Sequence, residues 1–367
     1  MEAYDPALAP RAFGFRNTGA ICYLNSFLQV LLGCTPFTRA VLANAAYMGR
    51  TRTGAAVLRL VRAALAEGAG AGAAGAAAGP APLEALSAEL LGALVADLGA
   101  RAPHVVFGGG QESASEALIL LLDMMEAPEA GGAGPGAAGA RGAPPAPGGL
   151  PARTLASPIT RLFLHRVRSA TYCQAPGCAR APVSRDVDHA VNFNLFQGVI
   201  PGGAGEREAA EAFARALHSQ DSRAAGYLCP RCKGRGEALR RSTLAMAPEI
   251  LFCMFNLYGD RPERAVPERF ALPGADGGRL GYRLVGQVEH SGTCAGGHYW
   301  ARALRAGGVF VLNDTGVSPG AFLARTQNTY IAVYCFEGAS GGPPGGSAFA
   351  PAPAGGAAEG AVGGGPP

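Results

Sequence analysis

The sequence has few charged residues, no long hydrophobic run and no long run of basic residues. Asp, Glu, Lys and Arg make up only 16% of its 367 residues, and the formal net charge is +4. Because no extended basic segment is present, nucleic acid is not an expected partner. The most apolar stretches, Ala117–Met125 and Ile250–Leu257, are much shorter than the roughly 20 residues that a membrane helix needs. Membrane insertion is therefore not expected either.

The sequence also lacks the features of an exported chain. Its first residues, MEAYDPALAPRAF, contain neither the basic beginning nor the apolar stretch of a secretory signal. The chain nevertheless has nine cysteines. Cysteines in a chain without an export signal favour metal binding or catalysis over disulfide bonds. We therefore expect an intracellular protein, in the cytoplasm, the nucleus or both.

Glycine and proline are abundant, with 55 and 28 residues that together make up roughly a quarter of the chain. Many of them lie in three stretches without hydrophobic periodicity, namely Glu67–Pro82, Ala127–Pro151 and everything after Glu337. Such stretches bury too little apolar surface to offset the entropy lost on ordering. We predict that they are two linkers and a tail outside the folded core.

The segments between these stretches change from helical to strand periodicity along the chain. Apolar residues from Leu24 to Leu31 recur with helical spacing, which predicts an amphipathic helix over Cys22–Leu32 with a stop at Gly33. Further helices are predicted over Phe37–Ala46, Ala55–Ala66, Ala85–Leu98 and from near Gln111 to about Met125.

The C-terminal part instead alternates apolar and polar residues, which is typical of half-buried strands. Strands are predicted over 282–288, His298–Leu304, Val309–Leu312 and Thr329–Phe336, and Ala306-Gly307-Gly308 is predicted to join two of them as a hairpin. Helices that come first and strands that come later indicate the α+β class.

Cys22 is a candidate nucleophile because of its place in the predicted structure. It follows the loop FGFRNTGAI and begins the first predicted helix, so the first-turn amides and the positive end of the helix dipole point at its sulfur. This placement predicts a lowered thiol pKa. A lone cysteine at the start of an apolar helix also fits simple core packing, so the surrounding residues have to decide.

Two further segments supply the partners that a nucleophilic cysteine needs. Asn17 lies in a glycine-punctuated loop that can bring its carboxamide beside Cys22 as an oxyanion donor, although an asparagine in such a loop commonly bonds its own turn. His298 lies at the start of a predicted strand, and Asn313 and Asp314 follow one hairpin later. Cysteine, then a distant histidine, then asparagine is an arrangement used for thiol acyl transfer.

These segments together resemble the ubiquitin-specific protease family of papain-like deubiquitinating cysteine peptidases. GFRNTGAICYLNSFLQ (Gly14–Gln29) resembles the Cys box of the family. Tyr282–Ala303 and Val309–Pro319 together resemble its His box, and GGGQESASEAL (Gly108–Leu118) resembles its Gln-Gln-Asp-Ala-x-Glu-Phe-Leu box. The match keeps the order of the family and extends over most of Phe13–Phe336.

The resemblance implies an enzyme that hydrolyses the isopeptide, ester or peptide bond after the C-terminal glycine of ubiquitin, through a cysteine thioester. Cys22 is implied as nucleophile, His298 as its base and Asn17 as oxyanion donor. Asn313 is implied as the residue that orients the imidazole, with Asp314 as the alternative. No catalytic cofactor is implied.

The substrate-binding residues that the resemblance implies are Gln111, Glu116, Gly296, Gly297 and Tyr299. The two glycines suit a narrow channel for the terminal glycine of the modifier. Ser113 departs from the family, since related enzymes have at this place an Asp that helps to hold the basic tail of ubiquitin. Weaker tail binding is therefore expected, or a preference for a ubiquitin-like modifier.

The remaining signal is a set of four cysteines. Cys229-Pro-Arg-Cys232 is typical of a zinc knuckle, and Cys173 and Cys178 supply a second, looser pair, so four thiolates can form a tetrahedral zinc site. A redox pair or packing cysteines are the alternatives. In the resembled family a structural zinc ties the tips of a β "fingers" region through two Cys-x-x-Cys pairs. The four residues between Cys173 and Cys178 depart from that spacing.

The fold implied by the resemblance is an α+β papain-like peptidase with a helical thumb, a β-rich palm and zinc-bearing β fingers. The predicted boundaries are an N-terminal tail 1–12, a catalytic domain 13–337 (thumb 13–126, low-complexity insertions 67–82 and 127–151, fingers 155–245, palm 246–337) and a tail 338–367.

The expected partners are ubiquitin and ubiquitinated proteins, and the expected state is a monomer. Two other functions stay open. One is a weak or inactive ubiquitin-binding scaffold, which a missing or displaced catalytic residue would favour. The other is a zinc-ribbon nucleic-acid binder that uses the short basic cluster around Cys229 and Cys232.

Overall fold

The computed structural model describes the residues 1, 3–69, 83–103, 112–126, 157–178, 183–189, 194–195, 205–255, 257, 263–274, 277–293 and 296–340. The helices are α1 (Cys22–Gly33), α2 (Thr35–Ala43), α3 (Ala45–Met48), α4 (Arg52–Ala69), α5 (Leu86–Arg101), α6 (Ala114–Met125) and α7 (Glu206–His218). Short 3-10 turns occupy Pro6–Leu8, Leu83–Ala85 and Thr160–Phe163.

The strands begin after the helical part. They are β1 (His165–Cys173), β2 (Val183–His189), β3 (Asn194–Leu195), β4 (Ser219–Leu228), β5 (Arg235–Met246), β6 (Ile250–Met254), β7 (Arg264–Ala265), β8 (Arg269–Pro273), β9 (Arg279–Thr293), β10 (Gly296–Arg305), β11 (Gly308–Asn313), β12 (Gly316–Pro319), β13 (Arg325–Thr326) and β14 (Thr329–Ser340).

Two sheets account for most of these strands. One has four strands in the order β2-β1-β5-β4, all antiparallel. The other has the order β12-β11-β10-β9-β14-β6-β3, with β8 also paired to β9, and only its β3–β6 pair is parallel. Mixed helices and antiparallel sheets are the α+β architecture that the order of periodicities predicts.

Helix α1 lies in the centre of the larger hydrophobic core. Every one of its residues is buried, and the helix packs against β9, β10 and α6. The sequence predicted a single apolar stripe, but burial on all sides is possible because the polar side chains have partners inside the protein. The Ser26 hydroxyl donates to the Tyr23 carbonyl, and the Gln29 carboxamide donates to the Phe13 carbonyl.

Helices α1 and α2 together have the length and apolar composition of a membrane span, although they are separate, bent elements. No single helix of the described residues is long and apolar enough to cross a membrane, and the α1–α2 pair is bent by 84°.

Local sequence signals predicted which helices form better than they predicted where each helix begins and ends. The predicted helix over Phe37–Ala46 is divided into α2 and α3 at Asn44, whose carboxamide donates to the Ala40 carbonyl. Helix α6 begins at Ala114 and not near Gln111, because the Ser113 side chain accepts the Ser115 amide and caps the helix.

Two elements extend into stretches that the sequence predicted to be linker or tail. Helix α4 continues to Ala69, and β14 continues to Ser340, where it pairs with Arg279. The hairpin between β10 and β11 is confirmed, with Gly307 at φ 93°.

Candidate active site

Cys22 is the first residue of α1, and the residue is only 4% exposed. Its sulfur is in reach of three backbone amides, those of Cys22 itself, Tyr23 and Tyr299. The first two belong to the start of α1, and the third belongs to β10. The N-terminus of the helix and the strand that contains His298 therefore meet at this sulfur.

The pKa of the Cys22 thiol is raised, mainly because burial disfavours the thiolate. The three amides lower the pKa, and the carboxylate of Asp314 raises it further. The predicted net lowering is therefore wrong. The helix-terminal amides act in the predicted direction, but the removal of the sulfur from water has the larger effect. A thiol whose pKa is raised in this way would require a base in order to act as a nucleophile.

His298 on β10 is held by the carboxamide of Asn313 at the end of β11. Its Nε2 lies 2.6 Å from Asn313 Oδ1. With that oxygen as acceptor, the neutral ring carries its proton on Nε2 and has its lone pair on Nδ1. The ring also stacks on Trp300, two residues along the strand, at a centroid distance of 6.2 Å. These contacts fix the tautomer and the orientation of the imidazole.

Asp314 does not bond to His298 but to the Cys22 segment. It occupies the turn between β11 and β12 at φ 50°. Its Oδ1 accepts from Asn25 Nδ2 at 2.8 Å, and its Oδ2 accepts from Asn17 Nδ2 at 3.0 Å. Its carbonyl accepts the Phe15 amide at 2.8 Å. Asp314 therefore ties the turn after Asn313 to the loop and helix on both sides of Cys22.

The Asn17 carboxamide bonds in two directions. Its oxygen accepts the amides of Gly19 and Ile21, at 3.2 and 3.3 Å, which is the turn-stabilising role open to an asparagine in such a loop. Its nitrogen donates to Asp314. Because a carboxamide has two N–H donors, one of them remains for another acceptor.

Glycine is required where the Cys22 loop crosses the turn of Asp314. A Cβ placed on Gly14 would lie 2.6 Å from Thr315 Cα and 2.7 Å from the Asp314 carbonyl oxygen. A side chain at Gly14 would therefore push apart the loop and the turn that the Phe15 amide joins.

Asn25 is a site residue that the sequence analysis missed. It is buried on α1, three residues after Cys22, and donates to Asp314. The available signal was a polar residue inside an apolar helix, on the same side as Cys22.

The predicted substrate-binding residues occupy different environments. Gln111 lies outside the described residues. Glu116 is exposed on the first turn of α6, Gly296 is half-buried and Gly297 is exposed. The Tyr299 ring is buried between His290 and Tyr330, with centroid distances of 4.4 and 6.0 Å, so its amide and not its ring faces the sulfur.

Ser113 belongs to a cluster of three hydroxyl groups. Its Oγ lies 2.7 Å from Ser115 Oγ and 3.1 Å from Tyr330 Oη, and Ser115 Oγ lies 2.9 Å from the same phenol oxygen. The place where the resemblance leads us to expect an Asp is therefore neutral and internally hydrogen-bonded.

The sulfurs of Cys173, Cys178, Cys229 and Cys232 all lie within 4.8 Å of one another and can hold a metal ion. Cys173 and Cys232 are 3.9 Å apart, and Cys178 and Cys229 are 3.8 Å apart. The longer first spacing is accommodated by a turn in which the Cys178 amide bonds the Ala175 carbonyl. Among the described cysteines no disulfide is formed.

Sequence comparisons with known proteins match this chain to one family. A family model described as "Ubiquitin carboxyl-terminal hydrolase" matches residues 13–334. A probable ubiquitin carboxyl-terminal hydrolase 3 of Schizosaccharomyces pombe is 54% identical over 41 residues, which are 10% of this chain and 8% of the relative. Ubiquitin carboxyl-terminal hydrolase 36 of Drosophila virilis is 28% identical over 194 residues, 48% of this chain and 15% of the relative. The match therefore spans only a small part of these curated relatives.

Solved structures share the fold at low sequence identity. The SAGA DUB module of Ubp8, Sgf11, Sus1 and Sgf73 bound to monoubiquitin matches with a TM-score of 0.61 and 15% identity, over 93% of this chain and 72% of that chain. The same module bound to ubiquitin aldehyde gives the same values.

Proposed function

The chain belongs to the ubiquitin carboxyl-terminal hydrolase family of cysteine deubiquitinases, and from this premise we propose that it hydrolyses the bond after the C-terminal glycine of ubiquitin. The observation that carries the proposal is the hydrogen bond between His298 and Asn313. His298 lies on β10, and the backbone amide of the next residue, Tyr299, faces the Cys22 sulfur. Solved relatives with monoubiquitin and ubiquitin aldehyde support ubiquitin as the modifier.

The first half of the proposed reaction forms a thioester. His298 takes the thiol proton at Nδ1 while the Cys22 sulfur attacks the carbonyl carbon of the terminal glycine. The tetrahedral intermediate then collapses, the carbon–nitrogen bond breaks, and the imidazolium gives its proton to the departing lysine amine. In the second half His298 activates water, which hydrolyses the thioester and releases the carboxylate of the modifier.

The remaining site residues stabilise charge and hold position. The Cys22 amide and the second N–H of Asn17 are the proposed donors to the oxyanion. Asn313 accepts from Nε2 of His298 and so leaves Nδ1 as the proposed base for the thiol, and Asp314 is a proposed positioning residue that holds Asn17 and Asn25. The exposed Glu116 and the glycines Gly296 and Gly297 are the proposed substrate contacts.

We assign a structural zinc ion to the four-cysteine cluster. Zinc–sulfur bonds of about 2.3 Å in a tetrahedron place the sulfurs about 3.8 Å apart, which matches the 3.9 Å between Cys173 and Cys232 and the 3.8 Å between Cys178 and Cys229. The cluster joins the turn after β1 to the turn between β4 and β5. The ion supplies no step of the reaction and holds these tips together.

The test is labelling with ubiquitin that has an electrophile at its C-terminus. Wild-type protein should form a covalent adduct, and Cys22→Ala should form none while it keeps its affinity for unmodified ubiquitin. Binding without labelling in zinc-loaded wild-type protein would replace the enzyme by a ubiquitin-binding scaffold.

A second candidate substrate is a ubiquitin-like modifier, which the neutral hydroxyl cluster of Ser113 favours. Cleavage of a panel of fluorogenic ubiquitin and ubiquitin-like conjugates distinguishes the two. If ubiquitin is the substrate, Ser113→Asp should lower its KM by about one to two orders of magnitude, because a charge-assisted hydrogen bond is worth about 1.5–3 kcal/mol. Efficient cleavage of a ubiquitin-like conjugate without cleavage of the ubiquitin conjugate would favour the second candidate.

An intracellular location, in the cytoplasm or the nucleus, is part of the same proposal. It is supported by the absence of a disulfide bond among the eight described cysteines, which matches a reducing compartment.

A further inference from the structure

Arg305 is a buried cation to which the proposed reaction gives no role. It ends β10, the strand that carries His298, and it is 2% exposed. Its guanidinium donates to the backbone and side-chain oxygens of Gln29, both at 2.6 Å, and to the Leu304 carbonyl at 3.0 Å. Burial lowers the pKa of Arg305 to about 10, so the side chain is still a cation at neutral pH.

The guanidinium lies at the C-terminal end of the helix that begins with Cys22. A Cβ placed on Gly33, the last residue of α1, would lie 3.1 Å from one guanidinium nitrogen. The negative end of the helix dipole favours a cation there. The hydrogen-bond acceptors are nevertheless neutral, and Arg305 Nε is buried without a hydrogen-bond partner among the described residues. An apolar side chain would therefore stabilise this core at least as well as the arginine does.

Arg305 determines which way the Gln29 carboxamide faces. Because Gln29 Oε1 accepts from the guanidinium, its Nε2 faces the other side, where it donates to the Phe13 carbonyl at 2.8 Å. The reversed carboxamide would place N–H donors against the cation and leave the Phe13 carbonyl without this donor. The fixed carboxamide therefore holds Phe13, from which the chain continues to Asn17.

Two contacts hold the loop that leads to Asn17. Gln29 holds Phe13, and two residues later the Phe15 amide donates to the Asp314 carbonyl at 2.8 Å. Both contacts lead to the sheet that carries the proposed base, because the first runs through the guanidinium to the end of β10 and the second runs to the turn after β11. The loop is therefore placed relative to that sheet at two points, of which one depends on the arginine.

We propose that Arg305 is a positioning residue, which fastens the C-terminal end of α1 to β10 and, through Gln29, fixes the loop that carries Asn17. The inference rests on the proposed function. Helix α1 packs on β10, and Cys22 precedes Gln29 by seven residues on the helix. His298 precedes Arg305 by the same number of residues on the strand. The reacting pair therefore lies toward the other end of the helix–strand contact that the guanidinium secures.

The experiment measures kcat, KM and melting temperature of the full chain with a fluorogenic ubiquitin substrate. Arg305→Met should lower kcat about tenfold and change KM less than about twofold, because small displacements of reacting groups slow bond formation without weakening binding. Its melting temperature should not fall, because an apolar side chain replaces a buried charge. Arg305→Lys keeps a cation for the Gln29 oxygens but loses the planar fork, so it should recover part of kcat.

A matched control and a second variant keep this test decisive. Arg264→Met makes the same change at another buried arginine, which is 6% exposed, and should retain kcat. Gln29→Glu keeps oxygens for Arg305 but removes the donor to Phe13, so it should lower kcat as Arg305→Met does. A wild-type kcat in Gln29→Glu would overturn the proposal even if Arg305→Met did not fold. An equal loss of kcat in Arg264→Met would also overturn it.

Hydrogen exchange separates this inference from the proposed function. In the free protein, the amides of residues 13–21 should exchange about tenfold faster in Arg305→Met than in the wild type, while those of β4 and β5 should exchange equally in both. If the wild-type protein does not cleave ubiquitin, the proposed function fails, but faster exchange of residues 13–21 would still support the fastening of this loop by Arg305. Unchanged exchange of these residues would refute the inference whether or not ubiquitin is cleaved.

Discussion

The proposed catalytic centre and the four-cysteine cluster are both assembled from distant parts of the chain, but different forces hold them. Cys22 begins a helix that is buried on every side, and β9, β10 and β14 around it belong to the same hydrophobic core. The cluster lies at the end of strands with little core of their own. Nearly all of β4 is exposed, as is Leu228 beside Cys229.

This difference indicates which of the two regions would depend on a bound metal ion for its stability. Apolar burial already holds the helix and strands around Cys22 in place. We therefore expect that reactive side chains in this region can be substituted without loss of the fold. The four-stranded sheet beside the cluster buries little apolar surface. A metal ion bound by the four sulfurs would supply the stability that apolar burial does not provide there. We expect variants of the first region to change rates and variants of the second to change local stability.

The largest expected effect is that of His298→Ala. Loss of the general base should lower kcat/KM for a fluorogenic ubiquitin substrate by about 10³-fold, with the melting temperature unchanged. His218→Ala, at the end of α7, is the matched control and should retain activity. A comparable drop in melting temperature in His298→Ala would mean that the site contributes to folding, which contradicts the comparison.

Asp314→Ala should have the next largest effect, a loss of about 10²-fold in kcat with a smaller change in KM. The variant leaves Asn313 on His298 but frees Asn17 and Asn25 from their shared acceptor. Asp221→Ala, which removes an exposed partner of Arg241, is the control. If kcat survives in Asp314→Ala, the Asn17 loop does not depend on this carboxylate.

Cys229→Ser should affect the other region, with about a tenfold rise in KM and a small change in kcat. Zinc content should fall from about one ion per chain to none, and limited proteolysis should cut first within β4 or β5. Cys253→Ser makes the same chemical change in the core and should keep its zinc. A zinc-free Cys229→Ser protein that resists proteolysis as well as the wild type would show that the small sheet needs no metal.

The smallest effect concerns the resting protonation state of Cys22. Since burial raises the pKa of its thiol, the thiolate fraction at neutral pH is lower in the folded protein than in the unfolded chain. The rate of iodoacetamide modification should therefore keep rising as the pH increases through the alkaline range. Modification of Cys22 in urea gives the unfolded reference. A rate that is already level at neutral pH would instead indicate a preformed thiolate–imidazolium pair.

Local sequence was sufficient for much of the fold. Helical spacing from Leu24 to Leu31 predicted α1 to within one residue of its end, and alternation predicted β10, β11 and β14. Helix ends were less predictable because they depend on caps such as Ser113 and on breaks such as Asn44. The order of these elements indicated the α+β class correctly.

The site was predictable as a set of residue types but not as a set of contacts. Motif resemblance supplied Cys22, His298 and Asn313 and left Asp314 as the alternative to Asn313. Only the folded structure shows that Asn313, and not Asp314, bonds to His298, because adjacent residues at a turn point in different directions. Asn25 was missed for the same reason, since its partner lies 289 residues away.

By itself, the sequence determined most of the helices and strands, the set of four cysteines that cluster and the candidate reaction, because periodicity and residue chemistry are local properties. The tertiary structure decided two other features: the direction of the shift in the Cys22 pKa, and the different hydrogen-bond partners of Asn313 and Asp314. Each of them depends on burial or on contacts between distant segments. Desolvation and neighbouring charge are set by what packs around a residue, and its immediate sequence does not specify that.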